Sequence, residues 1–134
     1  MEKDSQIFKE NKKSFKRFTL SFKYCYEGIR YAFYHEQNII VMLVMGIIAM
    51  ILGIILGISY TERLVVILLI GMILSLEMIN TAIESVVNLV TTEKKPLAKV
   101  AKDCASGAVG IASIFAFILG ILIYLPKLMV FFRG

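Results

Sequence analysis

The sequence predicts an all-α membrane protein in which three transmembrane helices follow an amphipathic interfacial helix. Of its 134 residues, 58% are hydrophobic, a composition too apolar for a soluble domain of this length. About 20 consecutive apolar residues span a bilayer as a helix, and windows near residues 39–59, 64–87 and 104–125 meet that length. Lysine and arginine gather at the ends of these windows, with eight of the fifteen (Lys3, Lys9, Lys12, Lys13, Lys16, Arg17, Lys23, Arg30) ahead of the first. The expected elements are a surface helix over about 15–35 and spanning helices over about 38–59, 63–90 and 100–125, all in a single integral-membrane domain, 1–134.

The charge pattern orients these elements. The connection between the first two spans holds only Arg63, whereas Lys94, Lys95, Lys99 and Lys102 lie between the second and third. The positive-inside rule therefore places the N-terminus in the cytoplasm and the C-terminus outside the cell membrane; Lys127 and Arg133 are the minority on the wrong side. The first apolar run is too long for a signal peptide and lacks a small-residue cleavage pattern, so it is expected to remain in the mature chain. A net charge of +5 raises nucleic acid as a partner. The basic residues border membrane spans instead, where anionic headgroups attract them, so no nucleic acid is expected. Cys25 and Cys104 make no metal-ligand spacing with the single His35 and read as reduced packing residues.

Taken in order, residues 1–14 are polar with mixed charge and read as a frayed start. From Phe15 to Tyr34, Phe15, Phe18, Phe22, Cys25, Tyr26, Ile29 and Phe33 recur at spacings of three and four, with Lys16, Lys23, Glu27 and Arg30 on the other face. That is the pattern of a helix lying in the headgroup region. His35 draws no role. Glu36 stands at the entry to the first span, where its position alone describes an exposed interfacial carboxylate. The first span is interrupted only by glycines, and Gly53-xxx-Gly57 favours close helix packing. Ser59-Tyr60-Thr61-Glu62-Arg63 reverses the chain into an antiparallel hairpin.

The second span ends in Leu76-Glu77-Met78-Ile79-Asn80-Thr81-Ala82-Ile83-Glu84-Ser85-Val86-Val87-Asn88, two carboxylates and two amides after a long apolar run. An ionisable group at membrane depth costs about 2.5 kcal/mol or more and needs a partner or a use. At about 100° per residue, Glu77, Asn80, Glu84 and Asn88 share a sector of roughly 80°. The stripe runs over roughly 16 Å, from inside the hydrocarbon at Glu77 to the interface at Asn88, and must face protein, water or a ligand. Pro96 marks the break before the third span. Ala101, Ala105, Ala108 and Ala112 then form a smooth packing face, with Lys102 and Asp103 at its mouth and a short tail from Pro126.

Glu36, Glu77, Glu84 and Asp103 with Lys102 make an oxygen-rich, His- and Cys-free set that suits Mg²⁺ bridged to nucleotide phosphates. Phosphoryl transfer needs such a metal, a cation for the phosphate oxygens and a base for the attacking hydroxyl. Glu77, deepest in the apolar environment, suits the base. Neither a G-x-x-x-x-G-K-[ST] loop nor a G-x-G-x-x-G loop is present, so any ATP must be held by helix ends and side chains. From the residues alone, an enzyme, an ion or proton pathway along the stripe in a small oligomer, and a structural role remain open.

A resemblance separates them. Glu77-x-x-Asn80-Thr81-Ala82-Ile83-Glu84-x-x-Val87 followed by Ala101-Lys102-Asp103-x-x-Ser106-Gly107-Ala108-Val109 resembles the signature of the prokaryotic diacylglycerol kinase and undecaprenol kinase family. Gly28-Ile29-Arg30-x-Ala32-x-x-x-Glu36 fits the segment before that family's first span, and the likeness covers about residues 17–125. Pro96-Leu97-Ala98-Lys99-Val100-Ala101-Lys102-Asp103 is more similar to the Gram-positive undecaprenol kinase branch than to the diacylglycerol branch.

The resemblance implies a homotrimer of three-span subunits with composite active sites, using Mg-ATP to phosphorylate a membrane lipid alcohol. Undecaprenol is the expected acceptor and diacylglycerol the alternative. It further implies that Glu77 is the general base and contacts the lipid, and that Asn80 helps orient it. Glu36 and Glu84 would hold the metal on the ATP phosphates, Lys102 would contact phosphates and Asp103 the nucleoside. Arg17 and Tyr24 are expected at the nucleotide pocket and Arg30 there or at the substrate. The family usually carries Asp where this chain has Asn88, which puts metal or nucleotide affinity in question.

Overall fold

A computed structural model describes the backbone of residues 2–133 and the side chains of 15–133. Four helices follow one another, α1 (Glu2–His35), α2 (Gln37–Ile55), α3 (Tyr60–Val90) and α4 (Pro96–Arg133), and no strand occurs among the described residues. The chain divides into two units, the first ending at His35 and the second running Glu36–Gly134. In the second, α2, α3 and α4 are each long and apolar enough to cross a membrane.

In the first unit, α1 begins at Glu2 and not near Phe15, so the expected frayed start is helical. The segment is rich in Lys, Glu and Gln, which lose little rotamer freedom in a helix, and Glu2 and Asp4 suit the positive end of the helix dipole. Phe15, Phe18, Phe22 and Tyr26 are exposed, with the Phe18 and Phe22 rings edge to face at 5.0 Å. Such an uncovered apolar stripe suits the headgroup region. His35 stacks on Tyr31 at 4.1 Å, and its Nδ1 lies 2.9 Å from the Tyr31 carbonyl oxygen.

The second unit opens at Glu36, whose extended backbone (φ −114°, ψ 108°) separates α1 from α2. With 19 residues, α2 is about 28 Å long, close to the roughly 30 Å hydrocarbon core. It ends in a glycine turn. The Ile58 N–H donates to the Gly53 carbonyl and the Gly57 N–H to that of Ile54, at 3.0 and 3.2 Å, a Schellman closure with Gly57 at φ +66°. Gly57 is thus needed for its left-handed backbone and not, as the Gly53-xxx-Gly57 spacing suggested, for helix contact. Gly53 does serve packing: a Cβ there would lie 2.5 Å from Ile58 Cδ1 and 3.1 Å from the Tyr124 hydroxyl.

Ser59 then starts α3 with a reciprocal cap, its N–H donating to Glu62 Oε2 at 2.6 Å and its Oγ accepting from the Glu62 N–H at 3.3 Å. Glu62 also lies 3.7 Å from Lys127, which gives one of the lysines at odds with the positive-inside count a partner. Ile58, Val66 and Ile123 form the buried core at this end, flanked by Ala49, Met50, Val65, Ile70 and Tyr124.

α4 departs from expectation at both ends. Pro96 is its first residue, where the missing N–H has no helical partner to lose, so the proline starts the helix. Pro126 lies inside the helix, which continues to Arg133 and replaces the expected tail; a single N–H is lost one turn past Leu122. Ala105, Val109 and Ala112 are the buried face. Ala108 is exposed, so Val109 takes the place expected of it. Cys25 and Cys104 are exposed free thiols and not packing residues.

α3 packs against both α2 and α4, and three contacts set the register. Gly46 of α2 faces Ile70 of α3, the Tyr124 hydroxyl of α4 donates to the Ala49 carbonyl of α2 at 2.8 Å, and Lys102 reaches Asn88. The helices therefore alternate in direction.

Candidate functional site at one end of the three spans

The polar stripe of α3 lies where the register brings the end of one helix level with the start of another. Each residue toward the N-terminus of α2 is matched by one toward the C-terminus of α3. From the Gly46–Ile70 contact, ten residues along each helix bring Glu36 level with Asn80. Because α2 alone matches the hydrocarbon thickness, this level is the hydrocarbon boundary. Glu77 lies just inside it, Glu84 about 6 Å and Asn88 about 12 Å beyond it along the helix.

Burial follows the same gradient. Glu77 is 2% exposed and Asn80 7%; Glu84 and Glu36 are half-buried and Asn88 is exposed. Glu77 Oε1 and Asn80 Oδ1 are buried side-chain oxygens without a hydrogen-bond partner among the described residues. A buried acceptor left unmatched costs about 1–3 kcal/mol, and such sites mark places where a ligand group or water belongs. The neighbouring hydroxyls do not supply the donor. Thr81 Oγ1 donates to the Glu77 carbonyl at 3.0 Å and Ser85 Oγ to the Thr81 carbonyl at 2.8 Å, so both are tied to their own helix one turn back.

Lys102 and Asp103, adjacent in sequence, make separate contacts. Lys102 Nζ crosses from α4 to α3 and donates to Asn88 Oδ1 at 2.8 Å, while Asp103 accepts from Lys99 Nζ at 2.9 Å on its own helix. The contact between Asn88 and Lys102 escaped the sequence reading. Only a coarse signal was available: Asn88 lies near the end of α3 and Lys102 near the start of α4, as residues that meet across antiparallel neighbours must. In the first unit, Arg17 and Tyr24 lie on α1 with Tyr24 exposed, and the Arg30 guanidinium lies 5.5 Å from the Tyr34 ring centroid.

No group of three or more His, Cys, Asp or Glu side chains forms a ready cage among the described residues. Mg²⁺ does not require one, because it uses one or two carboxylates with phosphates and water. Glu36 and Glu84 fit that donor chemistry: both are half-buried carboxylates, and neither is in an ion pair among the described residues.

Three spans with a buried acid and amide at the hydrocarbon boundary, and acidic and basic groups just beyond, have the layout of a membrane enzyme working at the headgroup end of a lipid. The family profile described as prokaryotic diacylglycerol kinase matches residues 23–124. Over 120 residues the chain is 39% identical to the undecaprenol kinase of Bacillus subtilis, covering 90% of this chain and 98% of that protein. It is 37% identical over 111 residues to a diacylglycerol kinase of Synechocystis, covering 82% of this chain and 63% of that protein. A diacylglycerol kinase of Helicobacter pylori strain J99 is 35% identical over 109 residues, covering 81% and 85% respectively. The chain belongs to the prokaryotic diacylglycerol kinase family. It is a lipid kinase, as the paired motifs around Glu77 and Lys102 implied.

Proposed function

We propose that the chain phosphorylates undecaprenol at the expense of Mg-ATP, with Glu77 as general base. The observation that carries the site is the partnerless Oε1 of Glu77, buried at the hydrocarbon boundary of a spanning helix. A lipid hydroxyl delivered at that depth supplies the missing donor. Its proton passes to the Glu77 carboxylate as its oxygen attacks the γ-phosphorus of ATP; the bond from that phosphorus to the β–γ bridging oxygen breaks, and ADP leaves. Asn80, one turn on with its own Oδ1 unmatched, orients the hydroxyl and the carboxylate. Glu36 and Glu84 hold Mg²⁺, which when bound neutralises the phosphate oxygens. Lys102 meets the phosphates and Asp103 the nucleoside, with Arg17, Tyr24 and Arg30 completing nucleotide and substrate contacts. Undecaprenol is favoured by the likeness to the Bacillus protein over nearly its whole length. Diacylglycerol is the second reading, favoured by the names of other relatives.

The assembly is a homotrimer with composite sites. Protein purified into lipid should scatter light as three chains and, given Mg-ATP with each alcohol separately, phosphorylate undecaprenol faster. Preference for diacylglycerol would overturn the acceptor, and phosphorylation of neither would overturn the kinase reading of the site.

The N-terminus is cytoplasmic and the C-terminus outside. Cys25 and Cys104, both exposed, lie on the cytoplasmic side in this orientation. A membrane-impermeant thiol reagent should label them in inside-out vesicles and not in intact cells; the reverse pattern would invert the topology.

A further inference from the structure

The lysines around the α3–α4 connection are not equivalent. Lys95 lies 3.5 Å from the Glu93 carboxylate and Lys99 2.9 Å from that of Asp103. Lys102 also has an acceptor, Asn88 Oδ1 at 2.8 Å, but that acceptor is an uncharged amide. The bond holds the ammonium across the gap between two helices, since Asn88 closes the stripe on α3 and Lys102 lies in the second turn of α4. The lysine stem is half-buried while the amide is exposed, so the pair lies at the edge of the interface with its charge open to a ligand.

A carboxylate in place of that amide would hold the same ammonium and also neutralise it. An arriving polyphosphate would then displace one anion in order to meet the cation, and the local field attracting it would be smaller by one charge. The amide positions without neutralising. Lysine is a compact point charge on a flexible stem, so without any acceptor at position 88 the ammonium would sample many positions, and ordering it would cost entropy at the moment of binding.

Resting on the phosphate role proposed for Lys102, we infer that Asn88 is a positioning residue that sets nucleotide affinity by holding Lys102 in place with its full charge available. The amide is therefore a determinant of how tightly this chain binds a nucleoside triphosphate, and it acts through Lys102 alone.

The test is a double-mutant cycle on the full chain in lipid nanodiscs, reading the dissociation constant of a non-hydrolysable ATP analogue with Mg²⁺. Asn88→Asp is nearly isosteric at an exposed position, so the fold is expected to persist, and an unchanged thermal midpoint checks this. Asn88→Asp should weaken binding about tenfold, with a shallower dependence on salt. Asn88→Leu should weaken it about threefold with the salt dependence retained, as loss of position without loss of charge requires. In a Lys102→Ala background Asn88→Leu should have no further effect, and Asn88→Asp should keep only the smaller weakening that its added charge exerts on the polyphosphate directly. Wild-type affinity in Asn88→Asp, or equal weakening with and without Lys102, would overturn the inference. Failure of the wild-type chain to bind the analogue, or binding that Lys102→Ala leaves unchanged, would overturn instead the nucleotide-site reading on which the inference rests.

Discussion

Glu77→Gln is expected to lower lipid phosphorylation by about 10²–10⁴-fold, the usual contribution of a positioned base, while affinity for a Mg-bound ATP analogue stays within about twofold of wild type. The substitution keeps the shape and one carbonyl oxygen but removes the capacity to take a proton. Its interpretation depends on what the carboxylate does for the fold. Among the described residues Glu77 Oε1 has no hydrogen-bond partner and Glu77 is only 2% exposed, so its burial is a cost to stability that no hydrogen bond from those residues to that oxygen offsets. Glu77→Gln should therefore have a thermal midpoint at or above that of the wild type, as expected when a functional site is held against stability. A lowered midpoint would recast Glu77 as a structural group. Retained turnover would remove it from the base role. A fall in activity with an undisturbed midpoint and intact nucleotide binding is the pattern that only a chemical role produces.

The features that were legible in advance are those governed by periodicity and depth. Three spans and an amphipathic first helix follow from where apolar residues recur, and the grading of Glu77, Asn80, Glu84 and Asn88 from buried to exposed follows from a constant rise along one face. Features that depend on a second helix were not legible. Lys102 and Asp103 look like one charged pair in sequence, but neighbouring residues on a helix point about 100° apart. One accordingly crosses to α3 while the other closes on Lys99. Gly53 and Gly57 look like one packing motif, but the helix ends between them, and Gly57 is read by φ and not by contact. Pro96 and Pro126 both read as breaks, yet one opens α4 and the other lies within it. A proline prohibits one hydrogen bond and says nothing about whether the surrounding helix can spare it.

Glu84→Gln is expected to raise the Mg²⁺ concentration for half-maximal activity. Loss of even an outer-shell partner weakens metal binding by about 10–100-fold, and loss of a direct carboxylate ligand should cost at least as much. Glu84 lies about 6 Å along α3 beyond the level shared by Glu36 and Asn80, between the level of Glu77, proposed to meet the acceptor hydroxyl, and that of Lys102, proposed to meet the phosphates. If Glu84 on α3 and Glu36 at the start of α2 share the metal as proposed, Glu36→Gln should shift the requirement in the same direction. The pair is expected to be strongly non-additive, because a cation that has lost one ligand gains little from the other. Glu84→Asp retains the charge on a shorter arm and should fall between wild type and Glu84→Gln. Glu93 is the control: it is an exposed carboxylate paired with Lys95 at 3.5 Å on the same short connection, and Glu93→Gln should leave the Mg²⁺ requirement unchanged. Equal shifts for Glu84→Gln and Glu93→Gln would show that Mg²⁺ senses only the charge of this surface; a shift confined to Glu84 and Glu36 would assign the metal to the stripe.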